Sequence, residues 1–234
     1  MDISDLPRLT RRNMSDEVYE ALKERIISRQ FVPGQRLRLV EIERQMGVSR
    51  TPVKDALNRL AMQGLVEIRP RKGSFVTDLA PAKIAESFDV RRVLEVYAVE
   101  LAAQRVTESQ LQQLRDIVKE LRRLTSVEDW DQIYLEYVAL DHELHRLIME
   151  FAANKRLEEI WEQVNVHVQM ARARYPRAER ELNLAQEEHE QILKAFEAKD
   201  IAALQRTMGH HIERAKQSLL RDLEGSKTQV DLSA

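Results

Sequence analysis

The run Gly47-Val48-Ser49-Arg50-Thr51-Pro52-Val53-Lys54-Asp55-Ala56-Leu57 constrains this chain more than any other segment. A glycine closes one short helix. A second opens soon after with Pro52 in its first turn, where a missing N–H leaves no intrahelical bond unmade. That helix gathers Val53, Ala56, Leu57 and Leu60 on one face. Lys54 and Asn58 fall on the opposite face, one turn apart and in line with Arg50. A helix with an apolar side to dock and a basic side to show is suited to the major groove of DNA.

The flanking sequence completes a small domain. Ser15 to about Arg29 is predicted as a first helix, with Ser15 as cap, Asp16 and Glu17 at its positive end, and Val18, Leu22, Ile26 and Ile27 as its stripe. Pro33-Gly34 breaks it. Leu39 to Met46 and Thr51 to Gln63 are the second and third helices, and Gly64 stops the third. Two short β-like runs follow, Leu65 to Arg69 and Ser74 to Thr77, joined by Pro70-Arg71-Lys72-Gly73. Three helices and a hairpin make a winged helix-turn-helix. The hairpin tip puts Arg71 and Lys72 beside a glycine, suited to close approach to a phosphate or the minor groove.

Beyond the linker Asp78-Leu79-Ala80-Pro81 the periodicity is helical almost throughout. Six helices are expected, at about 82–104, 107–124, 128–152, 155–174, 178–198 and 200–222. Their short connections favour antiparallel neighbours and a bundle. The fold class is therefore mainly α: an N-terminal winged helix-turn-helix and a C-terminal all-α antiparallel bundle. The expected boundaries are a flexible arm over 1–14, the DNA-binding domain over 15–77, a linker over 78–81, the helical domain over 82–224 and a flexible tail over 225–234.

Charge follows this division. Residues 1–77 hold 15 Lys and Arg against 10 Asp and Glu, a net of +5, while the remainder holds 22 against 29, a net of −7. Only the first half is placed to meet a polyanion. The 234 residues contain no cysteine, which excludes disulfides and thiolate metal sites. No apolar stretch approaches the roughly 18 residues of a membrane span. The polar Met1 to Asn13 segment lacks the apolar core of a signal peptide, so a cytoplasmic location is expected.

All six histidines lie in the helical half. Asp141 and His145 are four apart and share a stripe with Tyr134, Val138 and Ile148. His189 lies on the stripe of Ala185, Ile192, Leu193 and Phe196, and His211 on that of Leu204, Met208, Ile212, Ala215 and Leu219. His142 and His210 are displaced from these stripes. Spacing alone leaves two readings open, hydrogen-bonded core histidines or a metal site. Neutral imidazoles with one carboxylate suit zinc, nickel, manganese or iron.

Both halves resemble one family. Pro33-Gly34-Gln35-Arg36-Leu37, the Gly47 to Leu60 run, Gly64-Leu65-Val66 and Arg71-Lys72-Gly73-Ser74-Phe75-Val76 resemble the DNA-binding domain of GntR-type bacterial transcription regulators. Val90-Arg91-Arg92-Val93-Leu94-Glu95, Asp141-His142-Glu143-Leu144-His145, Glu188-His189 and Met208-Gly209-His210-His211-Ile212 are similar to the ligand-sensing domain of the FadR subfamily. The resemblance implies a homodimer on pseudo-palindromic operator DNA. It implies one divalent metal per chain, zinc first among the candidates, held by Asp141, His145, His189 and His211. It further implies a small carboxylate effector at the metal, with Arg91 lining its cavity. Arg50 and Lys54 match operator-contacting positions, with Ser49 and Thr51 beside them. Lys54 stands where the family usually has arginine, and Glu43 where alanine is usual. With the exposed Asn58, with Arg36 and with the wing tip, the candidate DNA-binding set is Arg36, Ser49, Arg50, Thr51, Lys54, Asn58, Arg71, Lys72 and Gly73.

The expected function is a repressor whose operator affinity responds to an organic acid. Two alternatives use the same cluster: a direct metal sensor, and a metalloenzyme localised by its DNA-binding module. Against an enzyme, the nearest general-base candidates, Glu188 and His210, are both expected to face outward.

Overall fold

The computed structural model describes residues 14–28, 30–77, 80–126, 130–174 and 179–231, and separates into two compact units, Met1–Asp78 and Leu79–Ala234. The expected N-terminal arm lies almost wholly outside the described residues.

The first unit runs α1 (Met14–Ile27), β1 (Arg36–Leu37), α2 (Leu39–Met46), α3 (Arg50–Met62), β2 (Val66–Arg69) and β3 (Gly73–Val76). α3 is the centre, packing against α1, α2 and β2. Its face of Val53, Ala56, Leu57 and Leu60 is buried, as is the α1 face of Val18, Tyr19, Leu22 and Ile26. Tyr19 ties the two helices through a 2.6 Å hydrogen bond from its hydroxyl to Gln63 Oε1. Gly47 ends α2 at φ 65°, a left-handed conformation in which its N–H reaches the Glu43 carbonyl. That sharp stop allows α3 to start within the next few residues.

The hairpin is one strand richer than the sequence reading. β1 pairs antiparallel with β3, Arg36 opposite Phe75, giving the order β1-β3-β2. Two residues show no period-2 pattern, and the Pro33-Gly34 turn before them reads as a plain break. Gly34 in fact helps form the sheet corner, donating its N–H to the Val76 carbonyl at 2.9 Å.

The second unit is α4 (Pro81–Ala103), α5 (Glu108–Leu124), α6 (Trp130–Phe151), α7 (Lys155–Arg174), α8 (Glu179–Glu197) and α9 (Ile201–Asp231). α4 is its axis, packed on α9, α7 and α6, while α8 packs on α9 and α5. Thr107 and Gln110 form a capping box that starts α5. Along α4 the buried positions are Ile84, Phe88, Arg91, Glu95, Ala98, Val99, Ala102 and Ala103, an apolar stripe interrupted by a charged pair. Trp161, Tyr137, Phe88 and Phe196 are the largest fully buried side chains. Among the described residues no helix is long and apolar enough to cross a membrane.

One boundary differs from the sequence reading. The segment from Gly225, expected as a flexible tail, continues α9 as helix to Asp231. An interior glycine costs a helix only about 1 kcal/mol, and no proline follows to stop it.

Leu60, fully buried at the centre of the first unit, sets a test of that core. Leu60→Ala should lower stability by about 2–5 kcal/mol, read as a shift in the urea midpoint of the full chain.

Candidate metal centre and nucleic-acid interface

Three helices of the second unit converge on one point. α6 supplies Asp141 and His145 from adjacent turns, α8 supplies His189 and α9 supplies His211. One ligand atom from each lies within 4.8 Å of all the others. All four side chains are buried, none above 3% exposed. The sequence stripes therefore meet as a single constellation. His145 Nε2 and His211 Nε2 are 3.2 Å apart, and His189 Nε2 is 3.6 Å from Asp141 Oδ1.

The donor set fits a divalent cation. Three imidazoles and one carboxylate are the ligands that zinc and its first-row neighbours accept. His189 supplies a second reason. Both its ring nitrogens are buried without a hydrogen-bond partner, which costs about 1–3 kcal/mol for each polar group left unmet. A cation at the centre would answer one of them.

Charged groups surround the cluster. Arg172 from α7 donates Nη1 to Asp141 Oδ2, while its own Nε is buried without a partner. Burial alone would raise the Asp141 carboxyl, but Arg172 and the neighbouring histidines hold it well below the usual carboxylate range. Arg91 donates Nε to Glu95, and Glu95 also accepts from Trp161 Nε1 at 2.6 Å and contacts His145 Nδ1 at 2.5 Å. Burial pushes Glu95 upward, and Arg91 and His145 together overcome it. Burial drives His189 well below its ordinary value, with the nearby His211 adding to the effect. It drives His211 down to about 4 against the pull of Glu188. Near neutral pH both rings are uncharged, the form in which imidazole ligates metals.

The outlying histidines sort as expected. His142 is half-buried, stacked on Trp161 with ring centroids 5.3 Å apart and bonded to Asn165 at 2.8 Å. The His210 side chain is 72% exposed. Glu188 departs from expectation: it is buried, not outward, and meets His211 Nδ1 at 2.7 Å. α8 buries Gln186, Glu188 and His189 together, so its buried surface is wider than one stripe. Arg91 lies in the same buried layer, paired with Glu95. Glu95 and Arg172 carry no role in the sequence reading. The signal for Glu95 is a charged pair spaced i,i+4 inside an apolar stripe.

In the first unit, Ser49, Arg50, Thr51, Lys54 and Asn58 are all exposed, with Arg50, Lys54 and Asn58 on one line of α3. Arg71 and Lys72 are exposed at the wing tip, with Arg71 at φ 63° and Gly73 at φ 110°. The exposed Arg36 joins them: its Nε lies 3.2 Å from where a Cβ on Gly73 would stand. Arg50, Lys54, Arg71 and Lys72 form no salt bridge with any described residue.

Comparison with known proteins agrees with both halves. Residues 14–76 match the bacterial regulatory proteins of the gntR family, and residues 86–214 match the FCD domain. The chain belongs to the GntR family, with an FCD domain following its DNA-binding domain. This GntR regulator is 28% identical over 211 residues to the HTH-type transcriptional repressor RspR of Escherichia coli, covering 88% of this chain and 89% of that one. It is 32% identical over 146 residues to the Nta operon transcriptional regulator of Aminobacter aminovorans, covering 62% and 67% of the two chains. The solved structure of McbR/YncC from E. coli superposes with a TM-score of 0.77 at 23% identity, covering 90% of this chain and 98% of that one, a likeness of fold.

The shifted groups set a pH dependence. The His211 and His142 rings take up a proton only near pH 4, whereas an unfolded histidine does so near its ordinary 6.5. The unfolded chain binds more protons in that window, so stability falls as pH drops from about 6.5 to about 4. Glu188, held down to about 2 against burial by its bonds to His211 and Arg214, adds a loss below its ordinary 4.5. The melting temperature of chelator-treated protein should be level from pH 7 to 8 and decline steadily below about 6.5, as read by circular dichroism.

Proposed function

We propose that this chain is a FadR-subfamily repressor whose operator affinity is set by a small organic acid bound at a divalent-metal site in the FCD domain. The observation that carries the reading is the buried Asp141, His145, His189 and His211 constellation, with His189 left unpartnered at its centre. When bound, a divalent ion, zinc by preference, supplies coordination positions that a ligand carboxylate can fill. The protein's own contribution is electrostatic. Arg172 and Arg91 keep two positive charges beside the cluster at the surrounding helices, where a second anionic group of the effector would be favoured.

In the first unit, Arg50, Lys54 and Asn58 are assigned to the major groove, with Ser49 and Thr51 at the helix start contacting phosphates. Arg36, Arg71, Lys72 and Gly73 are assigned to the wing contact. Lys54 brings a single flexible charge where an arginine would grip a guanine with two bonds. The regulator acts as a homodimer in the cytoplasm, each protomer taking one operator half-site. Effector binding shifts the population between forms that fit the operator and forms that do not.

Two measurements test this. A thermal-shift panel of small carboxylic acids on zinc-loaded wild type should find acids that stabilise it by about 2.7 kcal/mol at a hundred times their dissociation constant. The same acids should leave His189→Ala unmoved. No response from any acid, with an unchanged melting point on metal removal, would refute the sensing half. Arg50→Ala should weaken binding to a selected operator by about 1–3 kcal/mol at fixed salt, read by fluorescence anisotropy.

A further inference from the structure

Two carboxylates stand behind the metal cluster rather than in it. Glu95 Oε2 lies 2.5 Å from His145 Nδ1, and Glu188 Oε2 lies 2.7 Å from His211 Nδ1. An ionised carboxylate only accepts, so the hydrogen in each contact sits on Nδ1. Each carboxylate is itself fixed from behind. Glu95 accepts from Arg91 and from Trp161 Nε1, and Glu188 accepts from Arg214 Nε at 2.6 Å and Nη2 at 2.7 Å. The arrangement occurs twice, on different helices, with the same order of arginine, carboxylate and imidazole.

This order decides what the rings show one another. With hydrogen on Nδ1, His145 and His211 in their metal-ligating form each turn a bare Nε2 lone pair inward, and the two atoms are 3.2 Å apart. No hydrogen bond joins two lone pairs, so the contact is repulsive until a cation lies between them. Two nitrogens on one tetrahedral zinc at about 2.0–2.1 Å stand about 3.4 Å apart. The facing pair is therefore already at the separation of a ligand pair. His189 is built differently: neither of its ring nitrogens has a hydrogen-bond partner, though the side chain is fully buried.

We propose that Glu95 and Glu188 are the positioning residues of this centre. They set His145 and His211 as Nδ1–H tautomers with Nε2 presented to the ion, and they leave His189 as the ligand that the ion alone holds. The inference rests on the metal reading given above and adds which residues prepare the site before an ion arrives. Hydrogen-bond partners of this kind orient a ligand ring and raise its basicity.

The test uses the full chain labelled with 15N-histidine and read by long-range proton–nitrogen spectra, with zinc affinity measured by competition against a chelator. His145 and His211 should carry hydrogen on Nδ1 in both the chelator-treated and the zinc-loaded wild type. His189 should show a fixed tautomer only with zinc. Glu95→Gln and Glu188→Gln should weaken zinc binding about 10–100-fold. Glu188→Ala should weaken it further and release the His211 tautomer, because Gln still offers an acceptor oxygen and Ala does not. Glu95→Gln leaves the buried Arg91 without its counter-charge. Should that variant not fold, the Glu188 pair decides, since Arg214 keeps Glu181 as a partner. A bare Nδ1 on His145 or His211 in the wild type, or zinc affinity unchanged in both Glu188 variants, overturns the proposal. Wild type that takes up no zinc overturns the metal reading instead, and the tautomers of the metal-free protein still decide what the carboxylates do.

Discussion

Charge without water governs the helical half of this protein. Arg91, Glu95, Asp141, His145, Arg172, Glu188, His189 and His211 are each at most 6% exposed. An isolated ion in such a place is prohibitively costly, so each charged member needs a counterpart: Arg91 pairs with Glu95, Arg172 with Asp141 and Glu188 with Arg214. α4, α6, α7, α8 and α9 all contribute members. Apolar burial brings these helices together in many acceptable ways. The polar network accepts far fewer, because a shift of one residue along any helix would rotate its charge out of reach. The network thus specifies an arrangement that Leu, Ile and Val alone would leave loose.

How much of this the sequence discloses depends on whether the deciding pattern is local. The helix-turn-helix is legible because Gly47, Pro52 and the Val53–Leu60 stripe act within a few residues of each other. β1 escapes because a two-residue strand exists only through its partner, β3, some forty positions away. The four ligand-type residues can be picked out because each occupies a core stripe of its own helix. Glu188 is misjudged for an equally physical reason. A helical wheel assumes one buried face, and α8 is covered over more than one, so a residue next to His189 is also inside. Arg172 is illegible singly, since its significance lies in a partner on another helix, and Glu95 shows locally only as one half of an i,i+4 pair with Arg91.

The two units use their charges in opposite ways. The first displays its excess: Arg50, Lys54, Arg71 and Lys72 stand exposed and without salt bridges to described residues. The second takes some of its acids inward, where Glu95, Asp141 and Glu188 meet arginines and imidazoles. Surface charge of the first kind acts at a distance and is weakened by salt. Buried charge of the second kind acts at contact and is hardly screened at all. One chain thereby combines a long-range attraction for a polyanion with a short-range, shape-dependent recognition chemistry.

The linked pairs in the bundle also shape how this protein can diverge. Replacing Arg172 alone strands Asp141, and replacing Glu95 alone strands Arg91, each at a cost of about 3–5 kcal/mol for a broken buried pair. That is comparable to much of a domain's whole margin of stability. Loss of one partner alone therefore leaves little of that margin, and the two must change together for the fold to be kept.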